Sequence, residues 1–280
     1  MKMHYIKQKI AFTSKMGLLI FFAIAMLFPF YWLIQASFKE SIEIYTNPLG
    51  MPRDFITNAF QNYSSAWTLT NTPVAFSNSL FYSAVSITIV ILITSMVSYV
   101  IARVMRLKWL FLLFSFGIMI PMQALIIPLS IVLRTFDLVN SRTGIILAFI
   151  ASNISFSVLI LTAFMKSIPS ELEDAAMIDG CSRVKTFFTI ILPFSRGALA
   201  TAAIFCFINT WNDLILTMTI VQSRSLATLN LAIYNLHGEY VTDFGAVTAG
   251  IVMLVIPAML IYLAFQRQII NSMVSGAVKG

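Results

Sequence analysis

The sequence predicts an all-α polytopic membrane protein of six transmembrane helices, with both termini on the cytoplasmic side. Three observations carry that prediction. Long uncharged apolar runs recur along the chain, and each can cross a hydrocarbon core of about 30 Å at 1.5 Å per helical residue. Hydrophobic residues make up 59% of the 280 and charged residues only 10%, far from the roughly 45–50% and 25% of soluble domains. The lysines and arginines are distributed unevenly between the connections that join those runs.

The first span, residues 16–36, follows Lys2, Lys7, Lys9 and Lys15. A basic start before an apolar run also describes a signal peptide. This run is long enough to span, however, and no small-residue cleavage site follows it, so it reads as a retained helix. An outer loop, 38–73, holds Pro48, Pro52, Asn58, Asn62 and Trp67 and is expected to be irregular, with short helices. Spans follow at 74–102, 109–133, 143–165, 198–221 and 244–266, with kinks expected at Pro121, Pro128 and Pro257. A second outer segment, 222–243, contains Asn230, Tyr234, His237 and Tyr240. With the N-terminus inside, thirteen of the 18 basic residues face the cytoplasm and five face outward, which favours that orientation. The net charge of +7 is thereby explained by the membrane rather than by nucleic acid. Cys181 and Cys206 fall in a polar loop and in an apolar run, with neither disulfide nor metal-ligand spacing.

Between the fourth and fifth spans lies a polar stretch, Pro169 to Pro193, which this orientation places in the cytoplasm. Ser170 and Glu173 have the spacing of a capping box, and Glu171, Glu173 and Asp174 bring negative charge to the positive end of a helix. Ala175 and Ala176 leave a face with little side-chain bulk. Asp179-Gly180 stops the helix, and Ser182 starts a second one, in which Phe187, Phe188 and Ile191 recur at helical spacing up to Pro193. Read alone, this is a helix–corner–helix, which also suits an amphipathic pair lying on the membrane surface.

Two other places carry polar groups in apolar surroundings. The fifth span contains Asn209, Asn212 and Asp213. On a continuous helix Asn209 and Asp213 share one face, and Asp213 lies about 22 Å along from Ala198. An acidic group at that depth faces a cavity or a partner. It lines a path, or it belongs to a hydrogen-bonded cluster that holds the bundle, and both readings stay open. Gln123, between Pro121 and Pro128, is expected to be buried, as a substrate contact or as a satisfied group in a kinked helix.

The Pro169–Pro193 stretch resembles the cytoplasmic coupling loop of ABC-importer permeases, whose pattern is E-A-A, three residues, G, nine residues, I-x-L-P. Here Asp174-Ala175-Ala176, Gly180, Ile190, Leu192 and Pro193 keep every spacing, and Asp174 stands for the usual Glu. Asn62-Tyr63 with Trp67, the Trp211-Asn212-Asp213 triplet and Pro121 with Gln123 are similar to segments of sugar-importer permeases. The ending, Gln266-Arg267 followed by Gly276-Ala277-Val278-Lys279-Gly280, resembles that of the smaller permease subunit of maltose-type transporters.

This resemblance implies a permease subunit that forms half of a translocation path for a sugar. A second permease, an ABC ATPase dimer and an extracytoplasmic solute-binding protein complete the assembly, with no nucleic-acid partner. It implies ATPase coupling through Glu173, Asp174, Ala175, Ala176, Asp179 and Gly180, and a tail, 267–280, whose Gly276–Gly280 reach the ATPase. It further implies a path lined by Gln123, Asn209, Asn212 and Asp213, and residence in a bacterial or archaeal cell membrane, in contact with lipid. The chain carries no G-x-x-x-x-G-K-[ST] phosphate loop, no H-E-x-x-H and no G-x-S-x-G. No enzymatic activity and no cofactor of its own are therefore expected, and ATP and Mg belong to the partner ATPase. The competing reading is a secondary carrier with Asp213 as its ion site. It predicts gradient-driven transport without an ATPase, and inspection finds none of the internal repeats that such carriers show.

Overall fold

The computed structural model describes the backbone of residues 2–105, 107–236 and 242–277, and the side chains of 12–105, 107–236 and 242–266. His237 and Tyr240 lie outside the described residues, as do Val278, Lys279 and Gly280. Every regular element among the described residues is helical. In order they are α1 (Lys2–Ala36), α2 (Ser41–Thr46), α3 (Phe55–Leu69), α4 (Thr72–Tyr99), α5 (Lys108–Met119), α6 (Met122–Thr135) and α7 (Arg142–Lys166). Then come α8 (Glu171–Ile178), α9 (Arg183–Thr186), α10 (Leu192–Phe194), α11 (Arg196–Trp211), α12 (Ile215–Ile220), α13 (Leu229–Tyr234) and α14 (Phe244–Ala277). Turns of π-helix occupy Val100–Val104 and Phe187–Ile191.

Among the described residues, four helices are long and apolar enough to cross a membrane: Phe12–Ala36, Thr72–Val104, Arg142–Lys166 and Phe244–Gln266. The third and fifth expected spans are not single rods. Pro121 has no N–H to continue a helix and disfavours helical geometry at Ile120, and α5 and α6 meet there at 102°. The fifth expected span breaks between α11 and α12, and just before it the segments Arg183–Phe194 and Arg196–Trp211 meet at 72°. Pro128 and Pro257 stay inside α6 and α14. The last helix runs eleven residues past the apolar run that ends at 266, so the backbone of Gly276 and Ala277 is helical rather than an extended tail.

The helices form two compact units, Met1–Thr70 with Ile233–Val255, and Asn71–Ala232 with Ile256–Gly280. In the first, α3 buries Asn58, Asn62 and Ala66, one helical turn apart. Asn62 Nδ2 donates to the carbonyls of Ser37 and Lys39, both 2.9 Å, and Tyr63 bonds the Ser37 hydroxyl. The Asn62-Tyr63 pair therefore ties α3 to the end of α1. Lys39 is fully buried, and its Nζ donates to the carbonyls of Asn47 (2.7 Å) and Pro48 (3.2 Å). The expected irregular outer loop is an ordered structure held by side chain-to-backbone bonds.

In the second unit α4 packs on α7 and α11 through small residues, including Ser83, Ser86, Ser98, Ser157, Ala198 and Ala202, all buried. Small side chains let helices approach closely, and their hydroxyls bond across the gap. Thr210 Oγ1 donates to Ser83 Oγ at 3.0 Å, and Ser98 Oγ to the Val158 carbonyl at 3.3 Å. Cys206 is a buried free thiol beside Ser157.

Candidate functional site

The polar loop folds as a helix, a glycine corner and a second helix. At the corner Gly180 has φ +76°, a conformation that costs side-chain-bearing residues about 1–2 kcal/mol. The Gly180 N–H donates to Met177 O (3.0 Å) and the Cys181 N–H to Ala176 O (2.9 Å). This pair of bonds is the Schellman closure of a helix end. Ser182 caps α9 by accepting from the Lys185 N–H at 3.3 Å.

The expected capping box is absent. Ser170 has helical backbone angles, φ −69° and ψ −27°, and makes no side-chain cap bond. The Glu173 carboxylate turns instead to Arg103 at the end of the α4 rod. Arg103 Nε lies 2.7 Å from Glu173 Oε1, with both side chains 11% exposed. Its other two nitrogens donate to the carbonyls of Ile168 (2.9 Å) and Pro169 (3.2 Å). A charge-assisted bond outweighs a neutral cap. One guanidinium thus holds the residues that lead into α8 and the helix itself. Behind it Tyr99, Ala102, Met165, Ile168, Phe187 and Ile191 form one apolar cluster, which joins the two π-turns. The second helix does not run regularly to Pro193. It widens into the π-turn Phe187–Ile191, which accommodates a proline ring that would crowd the carbonyl four residues back.

Glu173 and Ala176 are thus spent on anchoring, both buried, while Asp174, Ala175, Asp179 and Gly180 are exposed. Exposed with them are Met177 (46%), Ile178 (86%) and Val184 (68%). These apolar side chains beside two carboxylates make a surface suited to another protein. Neither Ile178 nor Val184 stood out in the sequence, since both read as ordinary helix interior.

The polar groups of the fifth run lie elsewhere in the same unit. Asn209 and Asp213 do not share a face of one helix, because α11 ends at Trp211. Asp213 instead caps α12: its carboxylate accepts from the Thr217 N–H (3.0 Å), the Thr217 hydroxyl (2.8 Å) and the Leu216 N–H (3.4 Å). Asn230 Nδ2 donates to the carbonyls of Asn212 (2.9 Å) and Asp213 (3.3 Å), which the break exposes. Asn209 Nδ2 donates to Asn153 Oδ1 on α7 at 3.1 Å. Both Asn209 and Asp213 line a cleft of about 310 Å³ with Ser152, Ser155, Phe149 and Phe156. The Asn212 side chain is exposed, and Gln123 is exposed rather than buried, one residue past the start of α6 beyond the bend. Ser152 and Ser155 were legible only as members of an apolar span; their place on the cleft wall shows once α7 is seen beside the α11–α12 break.

Apolar helices of spanning length define a multi-pass membrane protein, and an exposed helix corner is anchored to one of them. Residues 106–274 match the family described as binding-protein-dependent transport system inner membrane component, and the chain belongs to that family of transporter permeases. It is 33% identical to the diacetylchitobiose uptake system permease protein NgcG of Streptomyces coelicolor, over 94% of this chain and 87% of the relative. It is also 33% identical to the arabinooligosaccharides transport system permease protein AraQ of Halalkalibacterium halodurans, over 93% and 94%. Its fold is similar to that of a bacterial ABC transporter involved in the import of the acidic polysaccharide alginate. That match has a TM-score of 0.78 at 21% identity and covers 92% of this chain and 96% of the other.

Proposed function

We propose that the chain is one permease of an ATP-driven importer for a sugar or oligosaccharide delivered by a solute-binding protein. A second permease completes the path, and an ABC ATPase dimer, which holds the ATP and Mg, docks on the loop 169–193 in the cytoplasm. The observation that carries this reading is the Gly180 corner, exposed and yet fixed to α4 by Arg103. Movement of a docked ATPase would pass through Glu173, Ile168 and Pro169 into the spanning helices, biasing an equilibrium between inward- and outward-open states. Asp174 and Asp179 offer carboxylates to basic groups of the ATPase, and Ile178 and Val184 fill apolar recesses. The terminal Gly276–Gly280 supplement that contact.

The substrate class rests on the uptake of sugars in the names of the relatives and on the cleft. Its wall of Ser152, Ser155, Asn209 and Asp213 faces ring hydroxyls, and Phe149 and Phe156 supply apolar ring faces of the kind that sugars stack on. The test is substrate-stimulated ATP hydrolysis by the purified assembly. Ala175→Trp puts bulk on the exposed face of α8 and should abolish most of the stimulation at unchanged membrane insertion. Stimulation equal to wild type would remove this loop as the docking site.

A further inference from the structure

A second recess lies where the cytoplasm-facing ends of three helices meet, apart from both the loop surface and the cleft. It has a volume of about 290 Å³ and is lined by Ile101, Ala102, Arg103, Leu107, Lys108 and Lys166. Among the described residues the charged side chains that line it are all cationic. Arg103 is committed to Glu173 and two carbonyls. Lys108 and Lys166 are both exposed, and neither has a carboxylate partner among the described residues. Lys166 Nζ is held 4.4 Å from the centre of the Phe111 ring, which fixes its ammonium beside α5.

The recess also receives the start of α5, whose first turn contains no acidic residue and whose N-cap position, Leu107, gives no side-chain bond. A helix start carries partial positive charge. Here a lysine sits on it, so the local field is unbalanced until an anion arrives. The rest of the lining is apolar: Ile101 and Ala102 are buried and Leu107 is partly buried. Lys166 ends the apolar helix α7 and Lys108 precedes the apolar run of α5, which sets the recess at the level where hydrocarbon gives way to water. The neighbouring Trp109 is 64% exposed, as befits a residue at the membrane interface.

We infer that this recess binds the phosphate of an anionic phospholipid, with Lys108 and Lys166 on the headgroup and Ile101 and Leu107 against the start of its acyl chains. An anion alone would need only the cations; the apolar wall and the interfacial depth select a lipid over free phosphate. Lys166 lies three residues before Pro169, so an occupant would brace the stem of the loop that Arg103 holds. The inference rests on the chain being a membrane protein and not on what it transports.

The test uses the detergent-purified, fully assembled complex, with short-chain phosphatidylglycerol, short-chain phosphatidylcholine and inorganic phosphate as separate probes. Wild type should bind phosphatidylglycerol in preference to phosphatidylcholine. The double variant Lys108→Gln/Lys166→Gln should bind it roughly 30-fold more weakly, while Lys108→Arg/Lys166→Arg and the remote control Lys15→Gln keep wild-type affinity. Retention by the arginine pair separates loss of charge from loss of fold. Equal binding by wild type and the glutamine pair would overturn the assignment. So would inorganic phosphate matching phosphatidylglycerol in affinity with the same lysine dependence. Binding is read directly, so failure of sugar uptake would leave this result standing, and the reverse also holds.

Discussion

Arg103 serves one junction with all three of its guanidinium nitrogens. Glu173 needs it equally: a carboxylate 11% exposed that loses its one ion-pair partner among the described residues is left largely desolvated. Breaking one side of such a pair costs about 3–5 kcal/mol when fully buried, and somewhat less here, where solvent still reaches both groups. Glu173→Gln keeps a hydrogen-bond acceptor for Arg103 Nε and should reduce uptake modestly, whereas Arg103→Ala should reduce it at least tenfold. The double variant Arg103→Ala/Glu173→Ala should recover part of the loss, and a double-mutant cycle in substrate-stimulated ATP hydrolysis measures the coupling. Additive losses would mean that the pair does not act as a unit. Asp213 makes a different case. Its sequence setting suits a path residue or a bundle tie, and in the structure it caps a short helix while bordering a cleft. Asp213→Asn retains the acceptor oxygen for Thr217 and should assemble normally, whereas Asp213→Ala removes a cap worth about 1 kcal/mol and should lower the yield of purified complex. If Asn alters substrate affinity at normal assembly, the cleft is functional; loss of assembly in both variants would assign Asp213 to structure alone.

At the scale of elements, apolar length made α1, α4, α7 and α14 legible, and the glycine corner was legible because αL backbone so strongly selects Gly180. Breaks were harder. Pro121 marks its own bend, but nothing local distinguishes it from Pro128 and Pro257, which stay inside helices, since an unpaired carbonyl can be re-satisfied by neighbours that sequence does not reveal. The end of α11 at Trp211 depends on Asn230 reaching back to Asn212 and Asp213 from eighteen and seventeen residues away. The exchange of a capping box for the Arg103 pair depends on a contact seventy residues long in sequence. Helical spacing therefore located the loop and missed what anchors it. The π-turn before Pro193 permits a local test. Pro193→Ala restores an N–H and removes the ring, so the segment should tighten into regular helix. Amide exchange across 187–194 should then slow several-fold in the variant. Unchanged exchange would mean that packing of Phe187 and Ile191, and not the proline, sets the wide turn.

For the molecule as a whole, the open question of physics is how many times the chain crosses the bilayer. Among the described residues four helices are long enough to cross, and each bent pair either crosses once as a broken span or turns back. A broken span in lipid needs its freed backbone groups covered by protein. The α11–α12 break, which interrupts the fifth expected span beyond the second of those bends, meets that need through Asn230 and Asp213. At the α5–α6 bend, by contrast, most side chains of both helices are exposed in the single chain, which fits an arrangement where a second permease covers them. Six crossings put both termini on one side and agree with the bias of basic residues. Single cysteines in a Cys181→Ser/Cys206→Ser background separate the alternatives. With six crossings, Arg53→Cys, Arg134→Cys and Arg224→Cys should react with a membrane-impermeant maleimide in intact cells, and Lys185→Cys only after permeabilisation. If α5 and α6 turned back instead, Arg134→Cys would become protected and Lys185→Cys would react from outside. That second pattern would put the Gly180 corner on the wrong side of the membrane for any ATPase, and the proposed coupling would fall with it.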